Sequence, residues 1–579
     1  MAGGRKAKPA KPKAPTTTLV IDNGADTLKA GFVRGGKIDE PRIIPNCIAR
    51  DRSRKVYVAS DLDKCRDFGE IQFRRPVEKG FIVNWEAQKE IWDHEFFDDN
   101  APMKCDPAET RLILGEPPNG LPMLETNCDQ IVFEEYGFSS YYRGIGPTFN
   151  AYHDIQSMFQ TPKDAPTVSN APSEAVMVID SGYSHTTITP LLQGRPLQSA
   201  IRRLDVGGKV LTNYLTRLIS LRHFDMRNDT YIVNEMKELS CYVTSDFKSD
   251  MEKSWKGTRG ERRPDFVSGG GLAKDYILPD FHARSKGILC DYEPARHSKA
   301  RKAAGQSEED ALTLRNERFA VPELIFSPAD GGIRQPGLAN LIQDSLNELP
   351  AGLWPSLLAN IVVVGGNALF DGFIQRLQKE VVQRVPDDCI VRVARPADPI
   401  TNTWYGAANL ANHSQINKLA VTKKEYEEHG AAWVARKFAT GLGTTFLVRF
   451  VKVEDGIYHR LHLALDHPPD DLLQSRAVVV DVEGDKLALP AAQKPRQQQA
   501  PGEAGPAAAR DGAAHEHVLA PGEEEVVRRR VQVRRRVAHV VDDQAEDLAF
   551  LLQRVDDAAG LVVDDVICAC FFAERRFCG

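Results

Sequence analysis

The chain has 579 residues and a mass of 64.3 kDa, is 42% hydrophobic and 27% charged, and carries a net charge of −6. That length exceeds one hydrophobic core and implies about two to four domains, while the small negative charge gives no global reason to expect tight, sequence-independent DNA binding, so any such contact would come from a local patch. Ten scattered cysteines without a C-x-x-C pair argue against a zinc site or a secreted disulfide scaffold, and no apolar run approaches the roughly 18–20 residues of a bilayer span. The N-terminus lacks the apolar stretch of a signal peptide. A reducing compartment, cytosol or nucleus, is expected, and no membrane partner.

Residues 1–15 are rich in lysine, proline and alanine, which predicts a disordered basic arm. Arg5, Lys6, Lys8, Lys11 and Lys13 fit a nuclear-import signal, a weak DNA-contacting arm, or a solvated tail. From residue 16 to about 440, strand-like and helix-like segments alternate, the pattern of an α/β protein with sheets flanked by helices. The runs TTLVIDNG, EAVMVIDSG and LANIVVVGGN read as strands, each ending in a glycine turn. NWEAQKEIWDHEFF and GGKVLTNYLTRLISLR read as helices. A polar stretch over about 281–313 reads as a surface insertion, either a solvated loop or a partner-docking element. Beyond 440 the sequence is low-complexity and unassigned.

Three turns carry the chemistry. In the first, Asp22-Asn23-Gly24 ends a strand and the chain returns through Lys29. Such a hairpin aims backbone N–H groups at phosphate oxygens, with Lys29 as a cation and Asp22 placed to hold a hydrated magnesium ion. An Asp-Asn-Gly turn is also a common hairpin. The second turn, Asp180-Ser181-Gly182, repeats the design, and two such hairpins facing each other would clamp a polyphosphate and its metal. The third, Gly365-Gly366-Asn367 leading to Phe370, allows close backbone approach to a ligand, or needs glycine only for its own geometry.

Together the three turns resemble the phosphate and adenosine motifs of the actin superfamily. Further segments are similar to actin, including Arg203 to Thr212, Lys237 to Val243, Tyr276 to Asp280, Asn316 to Glu323 and Lys423 to Gly430. The likeness covers about residues 16–440. Within it, the DNGA opening, the DSGYS turn and the NERFAVPE phrase resemble the subfamily called actin-related protein 6. The resemblance implies a two-lobed fold around a nucleotide cleft, binding ATP or ADP with Mg2+ through the turn residues above plus Gly208, Lys237 and Glu238. It also implies a structural subunit of a nuclear, SWR-type chromatin-remodelling complex that exchanges a histone H2A variant. The expected partners are the other subunits and, indirectly, histones or the nucleosome.

Departures from actin modify these expectations. Ala25 and Asp26 stand where actins have serine and glycine, so a phosphate contact is lost and a carboxylate enters. Whether Asp26 faces the phosphates or the solvent, the sequence leaves open. Tyr183 replaces an acidic residue, and the water-positioning histidine and glutamine of actin fall on Thr187 and near Gly146. Losing both groups predicts slow or absent hydrolysis and no catalytic residue. The segment from Pro45 to Asp61 is short where actin has a long loop used in filament contacts, which predicts a protein that does not polymerise. The alternatives are an active ATPase or small-molecule kinase of the same fold, and a filament-forming actin.

Overall fold

The computed structural model describes residues 15, 17–159, 174–255, 272–281, 284–293 and 310–441, with further strands at 447–452, 458–464 and 478–480. The expected N-terminal arm lies outside the described residues but for its last residue, as do most of the C-terminal extension and residues 294–309 of the expected insertion. Two compact units are present, 1–443 and 444–579. In the second, Leu447–Lys452, Tyr458–Ala464 and Val478–Val480 pair antiparallel.

The first unit is built on two sheets with separate cores. In the first sheet, β1 (Thr17–Asn23) and β2 (Thr27–Arg34) form an antiparallel hairpin, and β3 (Thr110–Glu116) and β4 (Ser140–Ile145) extend it in parallel from β1. The second sheet repeats the arrangement. There β5 (Ala175–Ser181) and β6 (Thr186–Leu192) form the hairpin, and β7 (Ile361–Val364) runs parallel to β5. The registers are equivalent at the chemistry-bearing positions, for Asp22 faces Lys29 and Asp180 faces Thr187.

Strand β7 explains its own sequence. All four residues are buried: Ile361 and Val363 pack into the large core of the second lobe, and Val362 and Val364 into a smaller cluster with Ala151 and Ile155. A strand covered on both faces reads as an unbroken apolar run rather than an alternation. The chain passes from the first lobe to the second after residue 152 and returns at helix Asn402–Asn412, whose Trp404 Nε1 donates to the Val20 carbonyl at 2.9 Å. The two crossings are laced together where buried Asn150 donates to Thr403 Oγ1 (3.1 Å) and accepts from Asn402 Nδ2 (2.7 Å).

Two expectations change. The helix predicted over 84–97 is α-helical over Trp85–Trp92 and continues as a wider π turn over Asp93–Phe97. The insertion is not wholly a surface feature: its strand Ile288–Asp291 and strand Ala311–Leu314 at its end flank Lys274–Ile277 in a three-stranded sheet, and its Leu312 lies inside the second core. No helix among the described residues is long and apolar enough to cross a membrane. The seven described cysteines are all free.

Candidate functional site

Both hairpin turns and the β7 turn open on one cavity of about 450 Å³. Of the residues singled out from the sequence, Asp22, Asn23, Gly24, Lys29, Asp180, Gly182, Gly208, Lys237, Glu238, Gly365, Gly366, Asn367 and Phe370 line it. Ser181 does not. It is buried beneath the turn, where its hydroxyl pairs with Thr186 Oγ1 (2.9 Å) and accepts from Asn367 Nδ2 (3.1 Å).

Each turn is held from behind. Buried Asn46 donates to the Gly24 carbonyl at 2.8 Å, and Gln88 of helix Trp85–Trp92 joins Asn46 to Asn23. Asn367 reaches back from the third turn to the Gly182 carbonyl at 2.9 Å, which also accepts from the Gly208 N–H at 3.0 Å. The glycines differ in what they serve. A Cβ on Gly24 would lie 2.5 Å from the Thr27 carbonyl oxygen, and Gly365 has φ +89° and no room beside Ser181, so both serve their own turns. At Gly182 an added Cβ would meet nothing nearer than 3.8 Å, and at Gly366 nothing within 4 Å. No packing demand explains those two glycines, and both face the cavity.

The charges on the wall are uneven. Asp180 is pushed up to about 6 by burial and, next, by the carboxylate of Asp22, with Lys29 pulling the other way. Lys29 lies 3.7 Å from Asp22. Among the described residues no group of three or more side chains could hold a metal ion. Asp22 and Asp180 are two carboxylates on the cavity wall, a donor set that suits a hydrated cation taking its remaining ligands from water and phosphate. The buried Asn23 Oδ1 is left without a donor. Lys237 behaves differently from expectation. Only 3% exposed, it spends its ammonium on Thr212 Oγ1 (3.1 Å), Asn234 Oδ1 (2.8 Å) and the Gly208 carbonyl (3.4 Å). Its role is to brace helix Gly208–Arg222 against helix Thr230–Ser240, and burial depresses its basicity.

Asp26 lines the cavity and is gripped by Arg75 at 2.9 Å, which answers the question the sequence left open. Gly146 and Thr187, the positions aligned with actin's water-positioning groups, line the cavity without an imidazole or amide. An imidazole does reach the wall at His185. Burial drops its pKa to about 4, so it is neutral, and its Nδ1 is walled in beside Gly80 without a partner. Arg75, Asn46 and His185 escaped the sequence reading. The arginine doublet of Arg74 and Arg75 is visible in the sequence, but nothing local says that one member turns back to the hairpin.

The family model for actin matches residues 13–439. The chain is 68% identical to actin-related protein 6 of Neurospora crassa over 442 residues, covering 76% of this chain and 98% of that protein. It is 46% identical to the actin-like protein arp6 of Aspergillus fumigatus over 73% of this chain and 95% of the relative. With actin-related protein 6 of Drosophila melanogaster the identity is 33%, over 71% and 97%. The paired sheets, the three converging turns and these similarities have one reading: the chain belongs to the actin family, in its actin-related protein 6 branch.

Proposed function

We propose that this protein is a nucleotide-loaded structural subunit of a nuclear chromatin-remodelling complex that exchanges a histone H2A variant, with little or no ATP hydrolysis. The nucleotide half of the reading is carried by one observation: Gly182 and Gly366, which packing does not require, face a cavity whose other wall is the Gly24 hairpin. Backbone N–H groups at the two hairpin tips would hold the phosphates, and Gly365 to Phe370 with Glu238 would hold the nucleoside. Asp22 and Asp180 would hold a hydrated Mg2+, which when bound neutralises phosphate charge. A bound nucleotide stabilises the closed lobes by mass action.

The absence of an amide or imidazole at Gly146 and Thr187 supports slow hydrolysis. The neutral His185 ring favours the second reading, an active ATPase, because it is a nitrogen base at the cavity wall. Its burial against Gly80 argues against that role. Steady phosphate release by the purified protein would establish the second reading and remove the first. The segment from Pro45 to Asp61 folds as a tight hairpin, Ile48–Arg50 with Val56–Val58, which supports a protein that does not polymerise. The complex-subunit reading rests on the family resemblance. Purification of the tagged protein from nuclei is expected to bring down a large helicase-type ATPase and histones, and recovery without them would sink it.

A further inference from the structure

The hairpin tips carry a fixed charge for which a phosphate-binding turn has no use. Asp26 follows Gly24 and Ala25, and it lines the cavity. It is held there by two residues. Arg75 donates from Nη2 to its Oδ1 at 2.9 Å and from Nη1 to its backbone carbonyl at 3.2 Å, and the same carbonyl accepts from the Asn46 N–H at 2.8 Å. The guanidinium is held in turn, 5.0 Å from the ring centroid of Tyr183 on the opposite hairpin and 5.2 Å from that of Phe73. Arg75 is not among the residues lining the cavity. It stands behind the carboxylate, and the incoming ligand meets Asp26 first.

Little on the wall offsets that charge. Lys237 has its donors committed to the protein, and Lys29 is shared between Asp22 (3.7 Å) and the Thr27 carbonyl (3.4 Å). Ala25 supplies no hydroxyl to a terminal phosphate. Building on the nucleotide reading above, we propose that Asp26, clamped by Arg75, makes this a nucleoside diphosphate site that discriminates against the triphosphate. A third phosphate would extend toward the hairpin tips and set its charge against a carboxylate that Arg75 holds at the cavity wall. Two like charges a few ångströms apart in a partly wet cleft, with Arg75 screening one of them, weaken binding by about tenfold. The departures at Ala25, Asp26 and Tyr183 then form one device, since the aromatic ring and the carboxylate both grip Arg75.

The test uses the full chain, stripped of nucleotide with EDTA and titrated calorimetrically with MgADP and, separately, MgATP. Wild type is expected to bind MgADP about tenfold more tightly than MgATP. Asp26→Asn removes the charge and releases Arg75 toward the third phosphate, so the preference is expected to reverse. Arg75→Met leaves the carboxylate unscreened and is expected to widen it. Thermal melting of each variant checks that it folds, and the wild-type comparison needs no variant. MgATP binding as tightly as MgADP in the wild type would overturn the proposal, as would an ADP preference that survives in Asp26→Asn. Failure of both nucleotides to bind would remove the nucleotide reading itself.

Discussion

At the scale of single residues, the glycines separate what the fold needs from what a ligand needs. Gly365 has φ +89° and would press a Cβ to 2.4 Å from the Ser181 carbonyl oxygen. Gly365→Ala is therefore expected to cost about 1–3 kcal/mol in strain and to lower the melting temperature. Gly182 has open space around it, so Gly182→Asp is expected to purify without nucleotide and to melt at the temperature of the nucleotide-stripped wild type. The measurement is the nucleotide released on denaturing the purified protein. A full complement in Gly182→Asp would show that the phosphates lie elsewhere. Both glycines were legible as turn residues, but which one a ligand requires depended on Ser181 packing behind Gly365.

At the scale of elements, one arginine holds three together. Arg143 of β4 is 7% exposed and reaches Asp129 (2.9 Å) and Glu125 (3.1 Å) of helix Pro122–Gln130, and Glu116 of β3 (3.2 Å). Burial pushes Glu116 up to about 7 and Asp129 to about 6 against the pull of Arg143. Both folded-state pKa values lie above the unfolded ones. Their contribution to stability is therefore complete at acid pH and is lost as the pH rises through about 6 to 7. Glu116→Gln is expected to flatten the fall in melting temperature between pH 4.5 and about 7. A variant whose pH profile parallels the wild type would disprove the assignment. Arg143→Met leaves buried carboxylates uncompensated and is expected to cost about 3–5 kcal/mol, read from denaturant unfolding. The same scale explains the shortened helix. Its π turn brings Phe97 to 4.5 Å from Tyr136, which lies in a second π turn, and Tyr136 donates to Asp93 at 3.0 Å. Apolar periodicity over 84–97 could not register a widening that a partner 40 residues away requires.

At the scale of the whole first unit, the cleft is fastened at both ends. The hinge is the Asn150, Asn402 and Thr403 lacing. At the mouth, Tyr231 of the second lobe stacks on Phe68 at 4.0 Å, in the loop before strand Gln72–Arg74, and lies 6.3 Å from Phe73 of that strand. Phe281 packs against the same cluster, and the Glu70 N–H donates to Asp229 at 3.1 Å. Glu70 and Phe281 have φ of +53° and +58°, a left-handed conformation that such residues hold only where packing over-determines it. Opening the cleft means unstacking this junction. Tyr231→Ala, at a position that does not itself line the cavity, is expected to release bound nucleotide about tenfold faster, a loss in the range of one aromatic stack. An unchanged exchange rate would show that the lobes part elsewhere or not at all. Deleting residues 441–579 is expected to leave the melting temperature unchanged, since the family match ends at residue 439.

The sequence by itself determined the three glycine turns, their order, the strands that carry them and the places where actin's groups are replaced. Those features are local, because a strand ending in Asp-x-Gly specifies its own backbone path. Tertiary structure alone decided that Asp26 is turned inward under Arg75 and that Lys237 is spent on its neighbours. It alone decided, too, that Tyr231 closes the mouth against Phe68. Each of these contacts depends on what packing brings beside a side chain, and packing between separate elements leaves no periodic mark in the chain.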